Sequence, residues 1–251
     1  MKRVSRGLWV GMSLLVVAVM GCRLGPSVRG SGQLVQEERQ LSGFMSVEVH
    51  DGIALTVVVD PSQPWKVAVV GDDNLVRLMH TEISESVGLH VFFHPEEVGN
   101  WSSRNPLRVE VTMPKLQVLS RSGGGTVDVS GSVTGVNDDR SVAVAAHGGG
   151  TVKVRGLDAS YLSLDVSGGG DVTMEGRSLQ VKSTMSGGTV LRARELSVQE
   201  ATLASSGGGS TELEVSNALR VTASGGGEVR IFGRPTVLQE DLSGGSTLAF
   251  E

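Results

Sequence analysis

The chain has 251 residues, of which 39% are hydrophobic and 4% aromatic, and its formal net charge at pH 7 is -5. This acidic balance argues against a nucleic-acid partner and against electrostatic binding to anionic lipid headgroups. The low aromatic content argues against a stacking platform for bases or sugars. The single cysteine excludes an intrachain disulfide and a cysteine-based zinc site.

The N-terminal segment has the pattern of an export signal. Three cations precede an apolar stretch at residues 8–20, which is short for a membrane span and typical of a signal peptide. Residues 19–22 (Val-Met-Gly-Cys) resemble a bacterial lipobox, in which the cysteine becomes the lipidated first residue of the mature protein. We therefore predict a signal peptide over residues 1–21 and lipidation of Cys22. An ordinary secretory signal with an incidental cysteine is the alternative.

Residues 22–30 are interpreted as a tether between the lipid and the folded chain, because they show no apolar periodicity. Arg23 follows the predicted lipidated cysteine. In Gram-negative lipoproteins an aspartate at this position usually means retention at the inner membrane, so Arg23 favours the outer membrane. The predicted location is the cell envelope, with the membrane contacted through the lipid anchor.

Residues 31–116 are rich in predicted strands but lack a repeated motif. A short helical turn is predicted at residues 73–77, with Asp72 or Asp73 as its N-cap. We interpret the region as irregular β coils continuous with the repeat that follows, and a separate small β domain is the alternative. The predicted strands cover residues 44–49, 53–59, 65–70, 89–93 and 107–113.

Histidines and acids in the same region could serve as metal ligands. His90 and His94 fall on one side of the chain if residues 89–94 stay extended, and a metal site could add His80, Glu96 and Glu97. Ordinary surface histidines explain the pattern equally well. The run Asp72-Asp73-Asn74 could bind calcium, but a turn or an N-cap is the favoured interpretation. The sequence therefore assigns no metal site and no cofactor.

Seven glycine-rich turns follow one another between Ser122 and Ser246. Each consists of a serine, or a histidine at position 147, and two or three glycines, flanked by alternating apolar residues. After a longer first interval, the first glycines recur every 18 to 20 residues, which is the signature of a solenoid. The predicted structural turns lie at Gly123, Gly148, Gly168, Gly187, Gly207, Gly225 and Gly244.

Each repeat is predicted to contain two strands joined by its glycine turn. Apolar residues alternate before the glycines and recur two and four residues after the last glycine, although Arg192 interrupts this column. Glycine allows a positive φ and has no side chain to collide with the next coil. The pattern predicts a parallel β-helix over residues 117–251, with about 18–20 residues per coil and apolar columns inside.

Other interpretations of the glycine tracts fit less well. Flexible linkers would not be flanked so regularly by apolar alternation. A phosphate-binding loop would need a following Gly-Lys-Ser/Thr, which no tract has. The calcium-binding β-roll repeat has a nine-residue period, and here an aspartate follows the glycines only at Asp171.

The outward residues predict no active site. Asp171 and Glu228 lie in one column but three coils apart, about 14 Å by the stacking distance, which is too far for a glycosidase carboxylate pair. The serines that begin the turns are interpreted as a hydrogen-bonded ladder, and His147 is the one nearby base. We assign no catalytic residue. The alternative is a carbohydrate-active β-helix enzyme, a polysaccharide lyase or hydrolase, that uses outward acids such as Asp128 or Asp171.

Several of these motifs resemble one bacterial family in order along the chain. They are the opening around Gly30, the segments 42–44 and 47–49, Gly52-Ile53, the repeated Ser-Gly-Gly-Gly turns, and the ending 233–235 with 241–246. Together they resemble the putative autotransporter adhesin, head GIN domain family, a domain of unknown function, over residues 30–250. One departure is Ala54-Leu55, where family members more often carry Asp or Asn followed by Val. The resemblance implies a right-handed β-helix-like fold, an envelope location and, frequently, a lipoprotein signal.

The function expected from these features is non-catalytic. A lipid-anchored envelope protein would present its β-helix as a surface for binding, adhesion or envelope organisation. Polysaccharide or protein of the envelope or the cell exterior is the expected partner, and a scaffold without a ligand of its own is a further alternative. The last predicted strand, residues 247–251, would leave an open edge, which predicts self-association.

Overall fold

The computed structural model describes residues 25–136 and 140–251. The predicted signal peptide and Cys22 lie outside these ranges. The described residues form an all-β structure with a single short helix, which confirms the predicted fold class at that level. None of the described helical residues forms a segment that is long and apolar enough to cross a membrane.

The N-terminal half contains nine strands and the helix among the described residues. In chain order they are β1 (Ser27–Arg29), β2 (Leu34–Arg39), β3 (Ser46–Val49), β4 (Ala54–Val59), β5 (Lys66–Asp72), α1 (Asp73–Leu78), β6 (Met79–Ser84), β7 (Gly88–Phe93), β8 (Asn100–Ser102) and β9 (Arg108–Met113).

The C-terminal half consists of strands alone within the described ranges. They are β10 (Val118–Ser122), β11 (Thr126–Gly131), β12 (Ser141–Gly148), β13 (Thr151–Gly168), β14 (Asp171–Gly187), β15 (Val190–Gly207), β16 (Ser210–Gly225), β17 (Glu228–Phe232), β18 (Thr236–Leu242) and β19 (Thr247–Phe250).

Strands β12 to β16 pair in parallel, each with the next along the chain. Ser167 lies opposite Ser186, Ser186 opposite Ser206, and Ser206 opposite Ser224. Residues paired in neighbouring strands are thus 18 to 20 residues apart along the chain, which is also the spacing of the glycines. The repeat period is therefore the sequence distance between equivalent positions in adjacent parallel strands.

The N-terminal strands join the same ladder but add antiparallel pairs to it. Strands β3 and β4 pair in parallel with β10 and β11. Strand β5 pairs antiparallel with β2 and β9, and β6 pairs antiparallel with β7. These antiparallel pairs follow no fixed sequence period, so the sequence predicts only the individual strands here.

The alternating apolar residues point into a continuous core. Leu162, Leu164 and Val166 are at most 2% exposed, whereas the residues between them face outward. Full burial of an aliphatic side chain of this size stabilises the fold by about 1.5–3 kcal/mol. The polar residues Arg121, Ser183 and Thr211 are also buried in these strands, each 1% exposed.

Arg192 does not interrupt the inward column. The buried residues are Leu191 and Ala193, and Arg192 faces outward beside Thr173 and Glu212. The sequence-based alignment was wrong by one residue because this turn has two glycines, and Thr189, 2% exposed, takes the place of the third. A one-residue shift reverses which side of a strand each residue faces.

The glycine turns come into direct backbone contact with one another. All seven predicted turn glycines have a positive φ, between 66° and 122°. At Gly207 a Cβ atom would lie 2.3 Å from the carbonyl oxygen of Gly187 in the preceding turn. Glycine is therefore needed here both for its conformation and for the close approach of the next turn.

Candidate functional site

One outward side of the ladder carries two rows of side chains, most of them serine or threonine, and we call it the serine face. The first row follows the residues that begin each glycine turn, and the second lies two residues earlier in each strand. Neighbours in a row are one strand spacing apart, about 4.8 Å. The rows are Ser122, His147, Ser167, Ser186, Ser206, Ser224 and Ser120, Ala145, Asp165, Thr184, Ala204, Thr222.

The serine hydroxyls do not bond to one another as the predicted ladder would require. Ser122 Oγ lies 2.6 Å from His50 Nδ1, and Ser167 Oγ lies 2.7 Å from His147 Nδ1. Within the described part of the chain, the hydroxyl groups of Ser186 and Ser224 have no protein partner. Those hydroxyls are free to bond to a ligand.

The outward side beyond the glycine turns is a network of ion pairs, which we call the charged face. The acids that the sequence offers as catalytic candidates are both paired: Asp128 lies 2.5 Å from Arg155, and Asp171 lies 2.7 Å from Arg192. Glu228 is likewise paired with Arg230 at 2.8 Å. Their charges are therefore balanced within the protein, and the arrangement is that of a solvated face.

A groove of about 500 Å³ lies on a third side, across strands β13 to β16. Asp158 accepts hydrogen bonds there from Arg140 and Arg177, with ion-pair distances of 2.6 and 2.8 Å. The hydrogen bond from Arg177, with that from Arg140 and the charges of both cations, lowers the pKa of Asp158 to about 2. Leu179, 48% exposed, adds an apolar patch to the lining.

Two neighbouring pairs of histidines lie at the N-terminal end of the serine face: His80 with His94, and His50 with His90. The rings of His80 and His94 lie 4.1 Å apart, and His80 Nε2 is 3.0 Å from Glu97. Phe92 separates this group from His90, whose ring stacks on it at 4.2 Å. The structure thus brings together three of the residues that the sequence suggested and places His90 in a neighbouring cluster, while Glu96 is exposed.

His90 instead lies with Glu48 and His50, and we call these three residues the Glu-His-His cluster. His50 Nε2 is 3.1 Å from Glu48 Oε1, and the rings of His50 and His90 are 5.0 Å apart. One potential ligand atom from each residue lies within 4.8 Å of the other two. The sequence could have shown two members of this cluster, because Glu48 and His50 point to the same side of an extended chain. The pairing of β3 with β7, which adds His90, was not visible.

The run Asp72-Asp73-Asn74 docks the N-terminal segment. The carboxylate of Asp72, 0% exposed, accepts hydrogen bonds from Gly32, Arg104 and Asn105. Burial is the largest single effect on the pKa of Asp72 and raises it. The hydrogen bonds together outweigh burial, so the pKa lies below its ordinary value. Asp72 occupies the N-cap position of α1 but makes no side-chain cap bond, because its oxygens are turned to these loops.

A ladder of stacked parallel strands with a polar outward face places the chain among all-β proteins. The chain belongs to the family described as putative auto-transporter adhesin, head GIN domain, whose model matches residues 43–235. This confirms the resemblance seen in the sequence. A comparison with curated proteins found no match.

Several solved structures share the fold. A putative adhesin from Bacteroides fragilis is 18% identical, with a TM-score of 0.77 over 89% of this chain and 98% of that one. A putative lipid binding protein from Parabacteroides distasonis is 15% identical, with a TM-score of 0.68 over 90% of this chain and 100% of that one. A putative adhesin from Parabacteroides merdae is 17% identical, with a TM-score of 0.61 over 90% and 99%.

Proposed function

We propose that this protein is a non-catalytic binding protein of the cell envelope and that its serine face contacts the ligand. The observation that carries the proposal is the pair of polar rows held in register across successive strands. A rigid sheet loses little conformational entropy when it binds, which favours it as a contact surface. The family and two structural relatives are described as adhesins, which supports a binding role.

We further propose that the parallel ladder winds as a right-handed β-helix. Parallel pairing at an offset of one sequence period supports this, as do the positive-φ glycines at each turn. In such a winding the serine face, the charged face and the groove are different sides of one rod. The serine face is then a continuous strip along the rod.

The chemistry of the strip favours a polysaccharide as the ligand. Its groups are mostly hydroxyls that donate and accept hydrogen bonds, with Asp165 as the one acid in the two rows from β10 to β16. A contact group repeated at each strand suits a polymer with repeated hydroxyl groups better than a single small molecule.

The test is sedimentation of the purified protein with envelope fractions. We expect it to bind cell-wall polysaccharide or exopolysaccharide, to keep binding after protease treatment of the fraction, and to lose binding after periodate oxidation of the sugars. Binding only to lipid vesicles or no binding to any fraction would contradict the proposal. Release of oligosaccharide products, detected by mass spectrometry, would favour the enzyme alternative instead.

We also propose that Cys22 carries a lipid that holds the protein at the outer membrane. The lipobox-like residues 19–22 and Arg23 support this placement. Metabolic labelling with a fatty acid should mark the wild-type protein and not the Cys22→Ala variant. Labelling that survives the substitution, or a wild-type protein recovered unlabelled in the soluble fraction, would contradict the anchor.

A further inference from the structure

We propose that the Glu-His-His cluster, formed by Glu48, His50 and His90, binds a divalent transition-metal ion such as Zn²⁺. This inference goes beyond the proposed function and does not depend on it. It rests on three side chains of the correct chemistry that the pairing of β3 with β7 brings to one spot.

The distances suit a metal with small side-chain adjustments. In a tetrahedral zinc site with bonds of about 2.0–2.2 Å, ligand atoms lie about 3.3–3.5 Å apart. His50 Nε2 and Glu48 Oε1 are 3.1 Å apart, and all three ligand atoms lie within 4.8 Å of one another. The three side chains are half-buried, so they are held by their neighbours yet can still rotate slightly to close on an ion.

The other nitrogen of His50 already has a partner that prepares it for metal binding. Its Nδ1 lies 2.6 Å from Ser122 Oγ. In the metal-bound state Nδ1–H would donate to this hydroxyl oxygen, which leaves the Nε2 lone pair for the ion. Outer-shell hydrogen bonds of this kind are a regular feature of metal-bound histidines, and Ser122 is therefore a positioning residue for the site.

His90 has a looser environment. Its Nδ1 faces Glu82 Oε1 at 3.8 Å, which is too long for a hydrogen bond. Its ring also stacks on Phe92, which limits its rotation.

The ligand set indicates which ions would bind. Two imidazoles and one carboxylate suit Zn²⁺ and other borderline divalent ions rather than Ca²⁺ or Mg²⁺, which prefer oxygen ligands alone. Three protein ligands leave at least one coordination position of a zinc ion open to solvent. A water molecule or a donor group of a bound partner could occupy that position.

The test is calorimetric titration of the metal-free purified protein with Zn²⁺, followed by Co²⁺ absorption spectroscopy. We expect one ion per chain and a loss of affinity on the order of 100-fold or more in His50→Gln and His90→Gln. Ser122→Ala should weaken binding by about 10–100-fold, as outer-shell changes do. The Co²⁺ spectrum should show visible d–d bands that both histidine variants lose.

His147→Gln is the matched control, because His147 also lies on the serine face and bonds to a serine, Ser167, at 2.7 Å. This variant should bind Zn²⁺ as the wild-type protein does. His80→Gln tests the neighbouring histidine group and should also leave binding unchanged. Absence of Zn²⁺ binding to a folded wild-type protein, retention of full affinity in folded His50→Gln and His90→Gln, or an equal loss in either control would overturn the proposal.

Discussion

Single glycines decide whether successive turns can stack, and the turn at residues 206–209 offers an internal comparison. Gly207 has a φ of 122° and no room for a Cβ atom, whereas a Cβ on Gly208 would meet nothing within 4 Å. We predict that Gly207→Ala lowers the free energy of unfolding by about 1–3 kcal/mol through backbone strain alone. Gly208→Ala should change it by less than about 0.5 kcal/mol. Equal effects in urea unfolding would contradict this account of the turn.

Arg121 is a buried cation whose neighbours do not compensate it. It donates to the carbonyl oxygen of Gly123, but Nε and Nη2 have no partner among the described residues, and burial lowers its pKa. Because a buried charge keeps much of its desolvation penalty, we predict that Arg121→Met raises the free energy of unfolding by about 1–4 kcal/mol. Arg155→Met, which removes an exposed ion pair with Asp128, should lower it by less than about 1 kcal/mol. A less stable Arg121→Met protein would show that the guanidinium stabilises the turns.

Asp158 links two neighbouring strands through an ion pair that depends on pH. Its pKa falls from the ordinary value of 3.8 to about 2 in the folded protein, first through the hydrogen bond from Arg177 in the next strand. The stability it contributes is therefore fully present above about pH 4 and is lost as the pH falls through about 2. We predict that Asp158→Asn is less stable than wild type at pH 6, by no more than about 1 kcal/mol for a surface pair.

The difference between wild type and Asp158→Asn should shrink as denaturant unfolding is repeated from pH 6 down to pH 2. In the Asp158→Asn background, Arg177→Met should have little further effect at any pH. A difference that stays constant across this range would contradict the assigned pKa.

The sequence shows the elements that repeat and misses those that depend on distant pairing. The regular glycine spacing and the alternation of residues such as Leu162 and Leu164 predicted the period and the buried side of the C-terminal strands. At Arg192 the prediction failed because a threonine replaces a glycine, which periodicity alone does not reveal. The antiparallel pairing of β2, β5 and β9, and the approach of His90 to His50, join strands that no local pattern relates.

The C-terminal end of the ladder exposes three large apolar side chains. Val237, Leu238 and Phe250 are 38%, 52% and 47% exposed, in β18 and β19. We propose that this end pairs with a second copy of the chain, because exposed strands with apolar side chains invite edge pairing. Light scattering should show concentration-dependent dimers that Leu238→Glu with Phe250→Glu abolishes. Ile83→Glu, at an exposed apolar residue of β6, is the control, and a wild-type monomer at high concentration would contradict the proposal.

If the serine face makes the contact with an envelope ligand, two threonines on different sides of β14 should differ in their effect on binding. Thr184 lies on the serine face and Thr173 on the charged face. In quantitative binding of the purified protein to envelope polysaccharide, Thr184→Arg should weaken binding about tenfold or more, a loss of about 1.4 kcal/mol, while Thr173→Arg should bind as wild type does. Unchanged binding by a folded Thr184→Arg protein, or a loss confined to Thr173→Arg, would contradict the account.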